Sequence, residues 1–205
     1  MELNSLPLFP LGTALFPQGI LPLRIFEVRY LDMVSKCIKT GAPFGIIALS
    51  EGSEVRSPGQ QEAFVDVGTL VTITEHANPQ PGLKVITCTG QQRFRILRRE
   101  RLKHGLWIAD VEHIDADMTV PLPQELQPCA VALRNVLTKL SAEHESALSP
   151  YLELEQEWDS CAWVSNRWCE MLPLPLKMKQ QLLELDNPMI RLELVNDILA
   201  KYELV

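Results

Sequence analysis

The spacing of apolar residues changes from a period near two to a period near 3.6 within the first forty residues or so. Short apolar segments at residues 6–9 and 20–25 predict strands, because the prolines that interrupt them are tolerated at strand starts, edges and bulges. From Tyr30 onward the apolar positions recur at helical spacing, and Gly41 followed by Pro43 predicts the end of that helix. The chain is therefore expected to begin with two strands and one helix.

Further strand patterns fill the rest of the first half. The segment FGIIALS at residues 44–50 is apolar on both faces, which is typical of a strand covered on both sides, and residues 51–62 are polar and predict a loop. One strand face is predicted from Val65, Val67, Thr69, Val71 and Ile73. After a predicted turn at residues 77–82, three more strands are expected at LKVITCT, RFRILRRERL and LWIADVEHI. About six mostly antiparallel strands favour a small closed or nearly closed β barrel, since closure removes exposed strand edges.

The second half has helical spacing, and a helical bundle is expected there. The apolar stripes of four helices are Leu126, Ala130, Leu133, Leu137 and Leu140, then Trp163, Val164, Trp168, Met171 and Leu172, then Leu182, Leu183 and Leu185, and finally Ile190, Leu194, Ile198 and Tyr202. Asn187 and Pro188 are a typical cap and first residue for the last helix. The prediction is an α+β protein with a β-barrel unit at residues 1–120 and a helical bundle at residues 121–205.

The charge distribution supports a boundary near residue 120. Residues 1–120 carry 12 Lys and Arg against 13 Asp and Glu, whereas residues 121–205 carry 7 against 13, so the second half holds -6 of the net charge of -7. An acidic protein with a pI near 5.2 is poorly suited to general nucleic-acid binding, which depends on Lys and Arg releasing counterions from phosphates.

The sequence has no pattern that predicts export or membrane insertion. Its first charged residue is Glu2, prolines interrupt the apolar start, and there is no apolar run of 18 or more residues. The five cysteines are Cys37, Cys88, Cys129, Cys161 and Cys169, an odd and widely spread set. We therefore expect these thiols to be reduced and buried, and the protein to be cytoplasmic.

The sequence carries no recognisable enzymatic motif. The chain has no nucleophile elbow, phosphate-binding loop, dinucleotide-binding turn or zinc-protease helix, and no C-x-x-C or H-x-x-x-H spacing. The histidines are scattered at His76, His104, His113 and His144. We therefore predict no catalytic residue, metal or cofactor, although a Cys nucleophile paired with a distant His stays open at the level of sequence.

Residues 93–103 form a basic stretch that is a candidate phosphate-binding face. Arg93 and Arg95 alternate on one predicted strand face, and further basic residues follow them. Acidic residues at positions 110–117 are expected to face this stretch from a neighbouring strand. A salt-paired surface is therefore favoured over a nucleic-acid interface.

The second half also contains three tryptophans, Trp158, Trp163 and Trp168, spaced five residues apart. Each step of five rotates a helix by about 140°, so the three cannot share one helical face. We expect them to fill the seam between the two units or, alternatively, to line a ligand groove there, with Arg167 stacking or pairing beside them.

Several motifs in order resemble the amino-terminal substrate-recognition domain of Lon proteases, in its stand-alone bacterial form. They are LPLFPLGTALFPQGILPLRIFEVRY, FGIIALSEGSEV, VGTLVTI, TGQQRFRI and SNRWCEMLPLPLKMKQQLLELDNPMIRLELV, and together they cover most of the chain. The resemblance implies a PUA-like β barrel joined to a helical bundle. In Lon proteases this domain helps select unfolded or tagged proteins and supports hexamer assembly. The ATPase and Ser-Lys protease modules of those enzymes have no counterpart in this sequence.

The resemblance also implies structural roles for five motif residues, which are Phe26, Glu27, Arg29, Tyr30 and Phe94. Glu27 is expected to cap the first helix or to pair with an arginine such as Arg93, and Phe26 and Phe94 are expected to pack in the barrel.

The favoured hypothesis is a non-enzymatic domain that binds unfolded protein or peptide segments, with a protease or chaperone as its associate. The binding candidates are Trp158, Trp163, Arg167, Trp168, Arg93 and Arg95. An RNA-binding PUA-like module is the first alternative and an unrecognised hydrolase is the second. The sequence makes no prediction of oligomeric state.

Overall fold

The structure is a computed structural model that describes residues 2–54, 62–143 and 157–204. The chain divides into two compact units, Met1–Ala116 (unit 1) and Asp117–Val205 (unit 2). The boundary predicted at residue 120 falls just inside unit 2. His144 and most of the predicted loop at residues 51–62 lie outside the described residues.

Unit 1 contains a β barrel with one helix. Its elements are β1 (Glu2–Leu11), β2 (Ile20–Ile25), α1 (Val28–Thr40), β3 (Phe44–Glu51), β4 (Ala63–Gln80), β5 (Leu83–Arg101) and β6 (Trp107–His113). Neighbouring strands follow the order β2-β5-β4-β3-β1-β6, and β6 also pairs with β5. That second pairing closes a five-stranded ring, and β2 pairs with the first part of β5, before the part that pairs with β6. β1 and β3 run parallel and the other described pairs are antiparallel, so the predicted α+β class is confirmed.

The hairpin formed by β4 and β5 is longer than the sequence predicted. Gln80 pairs with Leu83, so the turn comprises only Pro81 and Gly82, the last two of the residues 77–82 predicted for it, and residues 77–80 belong to β4. The predicted strands LKVITCT and RFRILRRERL are one continuous strand, β5. The last seven residues of β4 are exposed. This end of the hairpin therefore lacks the apolar alternation by which a half-buried strand is recognised.

The barrel interior is narrow and is filled by large side chains. Phe94 is fully buried in a cluster with Leu8, Ile47 and Leu70. A Cβ atom on Gly45 would lie 2.7 Å from the Phe94 ring, so this position accepts no side chain. Small residues opposite the ring thus give it room inside the barrel.

Unit 2 is helical. A 3-10 turn at Gln124–Leu126 leads into α2 (Gln127–Glu143), and α3 (Cys161–Met171), α4 (Leu176–Glu184) and α5 (Pro188–Lys201) follow. Ser160 caps α3 by accepting a hydrogen bond from the Trp163 backbone N–H, and Asn187 caps α5 as predicted. In the part of the chain that the structure describes, no helix is long and apolar enough to cross a membrane.

One face of α5 differs from its prediction. The stripe predicted as buried has Ile190 45%, Leu194 43% and Tyr202 53% exposed, whereas Leu192, Val195 and Leu199 are fully buried. A spacing of four residues rotates by about 40° per step on a helix of 3.6 residues per turn. Residues four apart therefore move progressively around the helix and away from its buried side. Positions 192, 195 and 199 lie on that buried side.

A buried arginine joins three helices and the start of unit 2. Arg191 of α5 is 1% exposed. Its guanidinium donates to the Asp117 carboxylate at 2.6 and 3.1 Å and to Asn166 Oδ1 of α3 at 2.8 Å. It also donates to the backbone carbonyls of Leu182 and Leu185, in and just after α4. Because every N–H donor of the planar Arg191 guanidinium is used, this side chain fixes the relative positions of these segments.

Candidate functional site

A groove of about 450 Å³ runs along the first strand of unit 1. β1 supplies residues 3–7, and α1 supplies Met33, Lys36 and Cys37 from one helix face. The remaining lining residues are Ala42, Pro43, Leu102, Leu106 and Ile108. Most of this lining is apolar, and apolar concave surfaces of this size are typical of binding sites.

The end of α1 shapes one side of the groove. Gly41 has φ near 70° and donates its backbone N–H to the Cys37 carbonyl, so it ends the helix in the left-handed conformation that glycine favours. Pro43 follows and cannot continue a helix. The chain therefore turns sharply from α1 into β3, and Ala42 and Pro43 lie at the groove.

A tight turn between β5 and β6 forms another wall. The Leu102 backbone N–H donates to the Leu106 carbonyl at 2.9 Å, which brings two apolar lining residues together. Arg29 of α1 donates to the Gly105 carbonyl inside this turn at 3.0 Å. Arg29 thus ties the turn to α1 and positions two walls of the groove.

Arg29 belongs to a buried polar network. It is paired with Glu62 at 3.0 Å and with Glu27 at 3.1 Å, and its guanidinium lies 4.5 Å from the centre of the Tyr30 ring. The indole N–H of Trp107 in β6 donates to Glu62 at 3.0 Å. The network therefore connects α1, the residue that precedes β4, and β6.

The network shifts the ionisation of its members. Burial acts to raise the pKa of Glu62, but hydrogen bonds from Arg29 and Trp107 outweigh it, so that the pKa lies below its ordinary value. Burial acts to lower the pKa of Arg29, but the bond to Glu62 and the nearby carboxylates leave it raised. Burial also raises the pKa of Tyr30 above its ordinary value. The Arg29–Glu62 pair is thus charged at neutral pH and lies beside a neutral phenol.

The cysteines have the properties of packed thiols. All five are buried and free, and burial raises the pKa of Cys88 to about 12 and of Cys129 to about 11. Cys129 donates to Asn196 Oδ1 and Cys161 to the Pro121 carbonyl, and no Cys–His hydrogen bond occurs among the described residues. A thiol with a raised pKa is a poor nucleophile. Among these residues no group of three metal-ligating side chains is present either.

The tryptophans predicted to bind a ligand lie in unit 2. Trp163 and Trp168 are each 2% exposed, and Trp168 donates its indole N–H to the Cys129 carbonyl at 2.9 Å. Trp158, half-buried, packs edge-on against Trp163 with ring centres 4.8 Å apart, and the Arg134 guanidinium lies 4.7 Å from its ring centre. Arg167 is buried and ion-paired with Glu170 at 3.0 Å. These contacts favour packing roles, and the predicted binding role stays a prediction.

The basic stretch of β5 does not form one solvent face. Arg93 is buried, whereas Arg95 is about half exposed and lies 3.9 Å from Glu112 on β6. Arg99 lies 3.5 Å from Asp66. Carboxylates from adjacent strands thus face part of this stretch, in line with a salt-paired surface.

Glu27 has one of its two expected roles, and Phe26 does not have its expected role. Glu27 occupies the cap position of α1 without a side-chain capping bond, but its carboxylate pairs with an arginine, which is Arg29 and not Arg93. Phe26 is 54% exposed, so the prediction that it packs in the barrel is wrong. It stands at the strand-to-helix corner, between Ile25, which is buried, and the Glu27 cap. Phe94, in contrast, lies in the barrel core.

The groove was not predicted from the sequence. Its lining comes from β1, α1, the two residues before β3, the turn between β5 and β6 and the start of β6, and most of these residues taken alone are ordinary apolar positions. The strongest sequence signal was the helical period of α1, which includes Cys37. That signal does not separate residues packed in the core from residues at a groove.

Comparison with known proteins gives consistent results. Residues 5–201 match the family described as the ATP-dependent protease La (LON) substrate-binding domain. A Lon N-terminal domain protein from Xanthomonas campestris shares 30% identity at a TM-score of 0.72, covering 95% of this chain and 98% of that one. The N-terminal domain of a Mycobacterium avium complex Lon protease shares 16% identity at a TM-score of 0.60, covering 95% and 97%, and it supports the fold alone.

Proposed function

The chain belongs to the substrate-binding domain family of the ATP-dependent Lon protease, and from this membership we propose that it binds unfolded protein segments without catalysing a reaction. The observation that carries the proposal is the groove of unit 1. Its apolar lining is matched to side chains that a folded protein buries and an unfolded protein exposes. In this role the domain recognises substrates or acts as an adaptor for a protease or chaperone.

The other functions considered have less support. The basic stretch of β5 is partly faced by carboxylates, which weakens an RNA interface. The buried thiols have raised pKa values, which weakens a cysteine hydrolase. The reduced state of these thiols supports the proposed cytoplasmic location.

A matched pair of alanine substitutions tests the proposal. Ala42 lies in the groove and Ala200 lies on α5, and both are exposed, so Ala42→Asp and Ala200→Asp are expected to fold. The probe is a reduced and carboxymethylated test protein, labelled with a fluorophore and followed by anisotropy. We expect Ala42→Asp to weaken binding about tenfold, since a carboxylate would have to be desolvated beneath an apolar occupant, while Ala200→Asp has no effect.

The same titration separates the alternatives. Equal affinities for the two variants would contradict a role for the groove. Binding of a single-stranded RNA oligonucleotide at low salt, with steep loss of affinity as salt is raised, would instead favour the RNA alternative.

A further inference from the structure

β1 has a neighbouring strand on both sides over only part of its length. Residues 8–11 pair with residues 45–48 of β3 on one side. Residues 2–8 pair with β6 on the other side. Within the described residues, no strand pairs with residues 3–7 on the β3 side. Those residues therefore form an open strand edge.

The groove lies along this open edge. Five consecutive residues of β1, at positions 3–7, line it. A groove that touches five consecutive residues, across the bulge at Ser5, follows the length of this part of the strand. Backbone N–H and C=O groups of alternate residues point outward from a strand edge. Apart from the Ser5 N–H, which Asp110 accepts, and Pro7, which has no N–H, the main-chain groups of this edge can hydrogen-bond an occupant beside an apolar wall.

The open edge is short and irregular. The pairing of β1 with β6 shifts register between Leu3 and Leu6, and Ser5 within that bulge has φ near 55°. Asp110 of β6 accepts the Ser5 backbone N–H at 3.0 Å, and Pro7 has no N–H to offer. Bulges and prolines on an edge oppose long strand pairing. An added strand is therefore limited to a few residues.

The side chains around the edge set the chemistry of an occupant. Met33 and Cys37 of α1, together with Leu102 and Leu106 of the β5–β6 turn, provide apolar walls. Of the described residues that line the groove, only Lys36 is charged, and it is exposed. Apolar side chains in the groove with an acidic group near Lys36 would complement this surface.

We propose that the groove binds a short, extended apolar segment of an unfolded polypeptide as an added β strand along residues 3–7 of β1. The inference rests on the proposed function and specifies how the substrate is held. Main-chain bonds to the edge are independent of sequence, and the apolar walls select only for hydrophobic character. Such a site accepts many unfolded sequences and discriminates against folded ones, whose strands are already paired.

A scan of backbone N-methylation tests strand addition. The probe is a fluorescent eight-residue peptide of alternating valine and serine with one aspartate, and each amide is methylated in turn. A strand offers alternate amides to its neighbour, so binding is expected to weaken about two- to tenfold at every second position within a short run. Methylation between those positions should have little effect. Unmethylated peptide with Ala42→Asp and Ala200→Asp reports whether the groove is the site.

The outcomes distinguish this inference from the function on which it rests. If the peptide binds in the groove but methylation has no effect, or the same effect at every position, strand addition is overturned and groove binding stands. If the unmethylated peptide does not bind, or Ala42→Asp leaves its affinity unchanged, the groove proposal and the strand-addition inference both fail.

Discussion

At the residue scale, two buried arginines organise the two units. Arg29 binds Glu62 in unit 1 and Arg191 binds Asp117 in unit 2, and each also donates to backbone carbonyls. A buried guanidinium is stable only when its donors are satisfied, so these contacts fix geometry more than they add stability. The sequence could not reveal the pairs, because the partners are separated by 33 and 74 positions.

The ionisation of Glu62 leads to a testable prediction at the residue scale. Its pKa is lowered in the folded protein, so its contribution to the free energy of unfolding is present above its unfolded pKa and is lost as pH falls through its folded pKa. We expect Glu62→Gln to reduce the free energy of unfolding by about 2 kcal/mol at pH 7, because it removes one of the two carboxylates that pair with buried Arg29 and leaves Glu27 as the other. Urea denaturation across pH 7 to 3 measures both effects.

The exposed Glu100→Gln variant serves as the control for this prediction. It should unfold like the parent protein at pH 7. The difference between Glu62→Gln and the parent should shrink towards low pH, because both side chains are then neutral. A constant difference across the whole pH range would contradict the assignment of this stability to the Arg29–Glu62 pair.

At the element scale, local sequence signals predicted correctly where helices begin and end. They did not predict which face of a helix is buried or how long a strand is. Gly41 with Pro43, and Asn187 with Pro188, act within a few residues, and the structure has both boundaries as predicted. The β4–β5 hairpin continues into a region where the side chains of β4 are exposed. No apolar alternation marks the strand in that region. The buried face of a helix and the length of a strand depend on which other segments cover them. A local sequence pattern does not contain that information.

The two faces of α5 allow a matched stability test. Leu192 is fully buried and Leu194 is 43% exposed, although the sequence placed Leu194 in the buried stripe. We expect Leu192→Ala to lower the free energy of unfolding by about 2–5 kcal/mol. Leu194→Ala should change it by about 0.5 kcal/mol or less.

Urea denaturation followed by tryptophan fluorescence suits this pair, since Trp158, Trp163 and Trp168 all lie in unit 2. Equal losses for the two variants would contradict the orientation of α5.

At the scale of the whole molecule, the resemblance of the motifs predicted the family and the α+β architecture, and both are confirmed. The groove was missed because it is assembled from separate segments of unit 1 and has no motif of its own. Ligand binding was predicted at the tryptophans because three of them recur five residues apart in the sequence. In the structure Trp163 and Trp168 are buried side chains of unit 2.

The central claim is that unfolded protein is bound at the groove of unit 1. Amide hydrogen exchange, measured with and without a reduced and carboxymethylated test protein, tests it most directly. We expect binding to slow exchange at residues 2–7 and 102–108 and to leave residues 157–172 unchanged, because an occupant at the edge of β1 shields only the first set. Slower exchange at residues 157–172 with no change along β1 would rule out binding at the groove and place it at the tryptophans.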